Sequence, residues 1–217
     1  MNLPRVLSVA NILNFVVTRV PFEGVWYDAF KQPQDRGFWF IWGTSASGKS
    51  SFAMQLAKEM SKHYKTLYNL LEEEPDDSDF IDRNKLFTMQ DVAGNFGVQK
   101  FNLEELNFYL EKRNSPKVVI IDSLPYFMDS FEQYLDFKRK WWRKKIIIFI
   151  AHADGAKPSS RVEERIMFDA KMKIFVSGYL AKCKGRTIGP NGGNFIIWKE
   201  GYEALQGDKS TEEIKNI

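Results

Sequence analysis

The stretch Phe38-Trp39-Phe40-Ile41-Trp42-Gly43-Thr44-Ser45-Ala46-Ser47-Gly48-Lys49-Ser50-Ser51 decides the fold. Its first five residues form a continuous apolar run bounded by Gly37 and Gly43, the pattern of a strand buried on both faces of a parallel sheet. Gly43 to Ser50 fits G-x-x-x-x-G-K-[ST], and Phe52, Ala53, Leu56 and Met60 then recur on one helical stripe. Strand, glycine-rich loop and helix thus follow in the order a phosphate-binding loop needs. The two glycines let the loop curl so that successive N–H groups and the helix N-terminus face phosphate oxygens. In this reading Gly43, Thr44, Ser45, Ala46, Ser47, Gly48, Lys49, Ser50 and Ser51 bind a nucleotide. Lys49 bridges the β- and γ-phosphates and the Ser50 hydroxyl ligates Mg²⁺, so ATP and Mg²⁺ are the expected cofactors. The bland alternative is a turn of small residues, and the strand-loop-helix setting argues against it.

Further along, Tyr64 to Leu71 reads as a strand, Asp76 to Arg83 as a short helix or turn, and Lys85 to Gln90 as a possible strand. Leu103 to Arg113 reads as a helix, Val118 to Asp122 as a second buried strand, Tyr134 to Lys145 as a helix and Ile146 to Ala151 as a third buried strand. This alternation predicts an α/β fold with a mostly parallel sheet and helices on both faces. Lys173 to Val176, Tyr179 to Cys183 and Phe195 to Trp198 read as strands joined by short turns, an antiparallel C-terminal extension. Upstream, residues 1–36 read as an N-terminal extension. It holds an apolar helical stretch around Val6 to Val17, then a turn-rich segment with Pro21, Gly24, Pro33 and Gly37. The ATPase core is set at 37–206, and 207–217 reads as a polar tail.

Composition narrows the function. One cysteine, Cys183, excludes an intramolecular disulfide framework and multi-cysteine metal sites and leads us to expect a reducing, cytoplasmic setting. The longest strongly apolar run, Ile146 to Ala151, is far too short to span a bilayer, so no membrane partner is expected. The formal net charge of +3 is too small to demonstrate nucleic-acid binding by itself. The densest basic cluster, Arg139 to Lys145 around Trp141 and Trp142, is read as a helix end complementing the helix dipole in preference to a nucleic-acid face.

Two further features bear on catalysis. Asp122 ends a buried strand, where its carboxylate can hold Mg²⁺ through water as the partner of Ser50. The next residue is Ser123, not glutamate, so a water-activating carboxylate has to come from elsewhere. Glu72-Glu73-Glu74-Pro75 puts three carboxylates at the carboxyl end of another strand, the edge where such sheets bind ligands. Glu72, the first past the strand, is the preferred general base, with Glu73 and Glu74 as alternatives.

With these motifs in this order the chain resembles the RecA-like P-loop ATPase superfamily of RecA recombinases, DnaB-type helicases and RadA- or KaiC-like ATPases. The resemblance implies Mg²⁺-dependent ATP hydrolysis by a homo-oligomer, with single-stranded DNA as a partner. In that superfamily the strand corresponding to Ile148-Phe149-Ile150-Ala151 ends in a polar sensor of the γ-phosphate, commonly glutamine; His152 stands there in this chain. The segment Ala153 to Arg165 resembles the family's DNA-binding loop. Lys182-Cys183-Lys184-Gly185-Arg186, followed by Ile188-Gly189-Pro190, is similar to the basic pair before a glycine-proline turn in DnaB-type helicases. Lys182, Lys184 and Arg186 are therefore implied as fingers into a neighbouring subunit's ATP site, with the choice among them open. Phe22-Glu23-Gly24 and Ala151 to Gly155 resemble compact RecA-like ATPases of phages and mobile elements of gut Bacteroidetes, which implies a DNA transaction in recombination, repair or replication. A P-loop kinase acting on a small molecule, with Arg161 and Arg165 as lid arginines, is a rival reading. A KaiC-like regulatory ATP-binding module is another.

Overall fold

The computed structural model of the chain describes residues 3–185 and 192–205. The apolar run becomes β1 (Gly37–Gly43), at the centre of a mostly parallel sheet. The other parallel strands are β2 (Thr66–Leu70), β3 (Phe96–Gln99), β4 (Val118–Asp122), β5 (Ile146–Asp154) and β7 (Met172–Ser177). The sheet runs β3-β2-β4-β5-β1-β7, and β8 (Leu180–Gly185) and β9 (Gly193–Ile196) continue it in antiparallel pairing. A short β6 (Lys157–Pro158) turns back on β5. The expected antiparallel extension is therefore present.

Side chains alternate across a strand, so β1 feeds two cores at once. Trp39 and Ile41 join a core with α2 (Gly24–Phe30), α3 (Lys49–Ser61) and α4 (Ser78–Leu86). Phe38 and Phe40 join a second core with α5 (Leu103–Glu111), α6 (Phe131–Trp141) and α7 (Arg161–Asp169). Helices cover both faces. Each large side chain buried in this way contributes roughly 1.5–3 kcal/mol relative to exposure.

Several local expectations need correction. Lys85–Gln90 is not a strand: it carries the end of α4 and the start of a 3-10 turn, Met89–Val92. The strand there is β3, a half-buried edge strand with only alternate positions covered. The turn-rich segment before β1 holds a helix, α2, whose Trp26 and Phe30 stack on Phe22, Phe52 and Phe195 in the first core. Gly24 begins it at φ +52°, a conformation open to glycine, which explains how a turn residue opens a helix. The helical stretch expected over Val6 to Val17 is confined to Val9–Leu13, and that helix, α1, buries no residue. Ala153 to Arg165 is not one loop but the end of β5, a tight hairpin to β6 and the first turn of α7. The tail 207–217 lies outside the described residues.

Candidate functional site

Strand register brings the carboxyl ends of β2, β4, β5 and β1 to one edge. Leu70 lies beside Asp122, Asp122 beside Ile150, Ile150 beside Ile41, and Gly43 beside His152. With strands about 4.8 Å apart, the four positions following these strands share a surface about 15 Å wide. Glu72, Asp122, His152 and the 43–50 loop are the groups it presents.

The loop is shaped by close approach. A Cβ at Gly43 would sit 2.2 Å from the Val176 carbonyl oxygen of β7, so only glycine lets the two strands pair there. Gly48 adopts φ +93° as the N-cap of α3, and the Tyr179 N–H donates to the Ser47 carbonyl at 3.1 Å, tying the β7-β8 turn to the loop. No side chain caps α3, and its first turn carries no acid. The N–H groups left at a helix start carry partial positive charge, so this end suits an anion. Lys49 donates from Nζ to the Thr44 carbonyl at 3.1 Å, and burial lowers its pKa while Asp122 and Glu72 oppose that effect. Ser50 is exposed at the helix start, and the Ser47 hydroxyl is buried without a hydrogen-bond partner among the described residues. Glycines that make room, an uncapped helix start, a lysine and a free hydroxyl form a donor set that fits a polyphosphate.

Asp122 is 7% exposed and accepts a 2.6 Å hydrogen bond from the Tyr68 hydroxyl. The peptide that follows it, Asp122–Ser123, is cis. Burial pushes the Asp122 carboxyl up to about 6; the Tyr68 bond and Arg83 pull it down, and the neighbouring Glu72 and Glu73 push it up. A cation beside it would relieve this cost, so the Asp122 and Ser50 oxygens fit a divalent ion that shares the phosphates.

The three glutamates separate. Glu73 forms a 2.6 Å ion pair with Arg83, and Glu74 pairs with Lys100 while its own N–H donates to Asp77. Glu72 instead meets the His152 Nε2 at 3.4 Å and lies near enough to Lys49 and Asp122 to influence both electrostatically. The structure therefore brings Lys49, Glu72, Asp122 and His152 to one edge. Lys182 and Lys184 lie elsewhere, exposed on β8 opposite Phe175 and Lys173, on the face away from the buried Ala181 and Cys183. Arg186 and the Ile188-Gly189-Pro190 turn lie outside the described residues. Sequence alone does not single out Tyr68, Arg83 or Tyr179: each acts on a site residue far from it in the chain, and nothing local marks them.

A central β1 with a phosphate loop at its carboxyl edge, flanked by β5 and β7 with β4 beyond β5, defines the RecA-like P-loop NTPase fold. No protein-family model and no curated protein matches the chain. Among solved structures it is similar to an ATPase domain, at 17% identity over 77% of this chain and 83% of that one, TM-score 0.56. It is also similar to the flagellar accessory protein FlaH of Methanocaldococcus jannaschii, at 17% identity, 82% and 93% coverage and TM-score 0.58. A third likeness is to the KaiC-like protein PH0186 of Pyrococcus horikoshii OT3, at 20% identity, 76% and 90% coverage and TM-score 0.52. At these identities the likeness is one of fold. No described helix is long and apolar enough to cross a membrane.

Proposed function

We propose that the chain is a Mg²⁺-dependent ATPase that works as a homo-oligomer on single-stranded DNA in recombination, repair or replication. Its catalytic set is Lys49, Glu72, Asp122 and His152. The observation that carries this reading is the pairing of Glu72 with His152 beside Lys49, while Glu73 and Glu74 are held by other cations.

In this assignment residues 43–51 hold the triphosphate through the loop N–H groups and the start of α3. Lys49 neutralises charge on the transferred phosphoryl. Ser50 and Asp122 hold Mg²⁺, which when bound supplies further charge neutralisation on the phosphate oxygens. Glu72 orients the attacking water and takes its proton, which needs a carboxylate not committed to a strong partner. His152, 3.4 Å from that carboxylate and borne on the strand next to β1, senses the state of the phosphate. One of Lys182, Lys184 and Arg186 is assigned as the finger into a neighbouring copy, where an added cation stabilises spreading phosphoryl charge; Lys182 and Lys184 are exposed on β8. The fold likeness to an ATPase domain supports the reading.

The test is ATP turnover with and without single-stranded DNA for the wild-type chain and Lys49→Ala. Turnover that rises with DNA and falls about 100-fold or more in the variant is expected. Absence of hydrolysis under every condition, or turnover untouched by the substitution, ends the proposal.

A further inference from the structure

A triphosphate held by the 43–51 loop has two ends, and the order of the strands gives a side to each. Glu72, Asp122 and His152, the groups assigned to the terminal phosphoryl, stand at the carboxyl ends of β2, β4 and β5, all on one side of β1. The nucleoside end then leaves on the other side of β1, over β7 and the β7-β8 turn. Two aromatic rings stand there. Tyr179, in that turn, lies against the phosphate loop: a Cβ placed on Gly48 would sit 3.0 Å from its Cδ1 and 3.5 Å from the Ile197 Cδ1. The Trp198 ring lies 5.0 Å from that of Tyr179 and nearly perpendicular to it, at 83°.

Trp198 is 51% exposed, whereas the other five tryptophans are buried or half-buried. An indole left half in water forgoes much of the burial that makes aromatic side chains large contributors to cores. It is nevertheless fixed in place. A Cβ on Gly201 would come within 2.2 Å of the Trp198 Cε3, so the helical segment 199–205 passes directly against the indole, and the Tyr202 N–H donates to the Trp198 carbonyl at 3.0 Å. The Ile197 N–H donates to the Tyr179 carbonyl at 2.8 Å, and Gln55 of α3 donates from Nε2 to the Ile197 carbonyl at 3.1 Å. Phosphate loop, following helix and indole are thereby held in one frame. An aromatic surface that is both fixed and open to water receives a flat π-system at little ordering cost, and every nucleobase offers one. We propose that Trp198, supported by Tyr179, is the platform on which the base of the bound nucleotide stacks. This inference rests on the nucleotide reading of the 43–51 loop and adds to it the residue that receives the base.

Two probes separate base from phosphates: AMP-PNP, a nucleotide whose terminal bond resists cleavage, and inorganic tripolyphosphate, which offers the phosphates without a base. Each is titrated by calorimetry into the full chain with Mg²⁺ present. Trp198→Ala is expected to weaken AMP-PNP about tenfold, the loss typical of removing a stacking aromatic, while tripolyphosphate affinity stays within about twofold. Trp198→Phe, which keeps a ring, is expected to retain most of the AMP-PNP affinity. AMP-PNP, and not tripolyphosphate, is also expected to quench the indole fluorescence of the wild-type chain, a change that Trp198→Phe abolishes. An AMP-PNP affinity unchanged in Trp198→Ala, or both probes weakened alike, overturns the platform and leaves the nucleotide site standing. Binding of neither probe by the wild-type chain ends the nucleotide reading and the platform with it. Should Trp198→Ala fail to fold, the wild-type fluorescence decides alone, and equal responses to the two probes overturn the proposal.

Discussion

Asp122 shows how burying a single carboxyl costs stability when it is charged. Its carboxyl titrates near 6 in the fold against an ordinary 3.8, chiefly because burial disfavours the charged form. A raised folded pKa means that the native state binds the proton more tightly than the unfolded chain. The stabilisation is therefore fully present below pH 3.8 and is lost as pH rises through about 6. A shift of this size corresponds to about 3 kcal/mol at neutral pH. Asp122→Asn, which keeps an oxygen for the Tyr68 hydroxyl, is expected to be more stable than wild type by up to about 3 kcal/mol at pH 8, with the difference fading toward pH 4. Urea unfolding at the two pH values measures this, and a variant less stable than wild type at pH 8 contradicts it. Asp122 itself is legible in the sequence as an acid ending a buried strand. Tyr68, which sets its environment, is not, because the two meet only through strand pairing across 54 positions.

At the scale of elements, the phosphate loop depends on the close pairing of β1 and β7. Gly43→Ala would drive a methyl group to 2.2 Å from the Val176 carbonyl oxygen, a backbone atom that cannot swing aside, and to 2.9 Å from the Ser47 hydroxyl. The expected cost is about 3 kcal/mol, at the upper end of ordinary overpacking, and is read as a lowered midpoint in thermal unfolding. Retention of wild-type stability would show that the strands separate without penalty. The buried strands β1, β4 and β5 can be read from sequence because covering both faces demands a continuous apolar run. The edge strand β3 cannot, since half of its positions face solvent and Gly97 interrupts the pattern. The α7 helix is hidden by the Gly, Pro and Ser residues before it, although Ser160 and Glu163 form a capping box that is readable at the correct spacing.

Across the whole molecule, charge is divided between the two edges of the sheet. Glu72, Glu73 and Asp122 gather at the carboxyl edge, whereas the residues just before five of the six parallel strands, all but β3, are basic: Arg36, Lys65, Lys117, Lys145 and Lys171. Several of these lysines close loops through hydrogen bonds to backbone carbonyls. Lys65 donates to the Asn114 carbonyl at 3.0 Å, Lys117 to that of Lys144 at 3.1 Å, and Lys145 to Ser115 Oγ and the Pro116 carbonyl, both at 2.8 Å. Burial first, then Lys117 and Lys144, pull Lys145 down to about 8. Lys145, at the end of the basic cluster around Trp141 and Trp142, thus helps to fasten the edge opposite the phosphate loop, and the net charge of +3, from 31 basic and 28 acidic residues, hides this local division. Under the proposal, ATP hydrolysis depends on the carboxyl edge, and within it on Glu72, which faces His152 while Glu73 and Glu74 are held by Arg83 and Lys100. ATP binding and steady-state ATP hydrolysis of Glu72→Gln, compared with the wild-type chain at saturating Mg²⁺, test that claim most directly. ATP affinity within about threefold of wild type is expected, with turnover reduced by about 100-fold or more, the loss that follows removal of a general base. Hydrolysis by Glu72→Gln at the wild-type rate would contradict it.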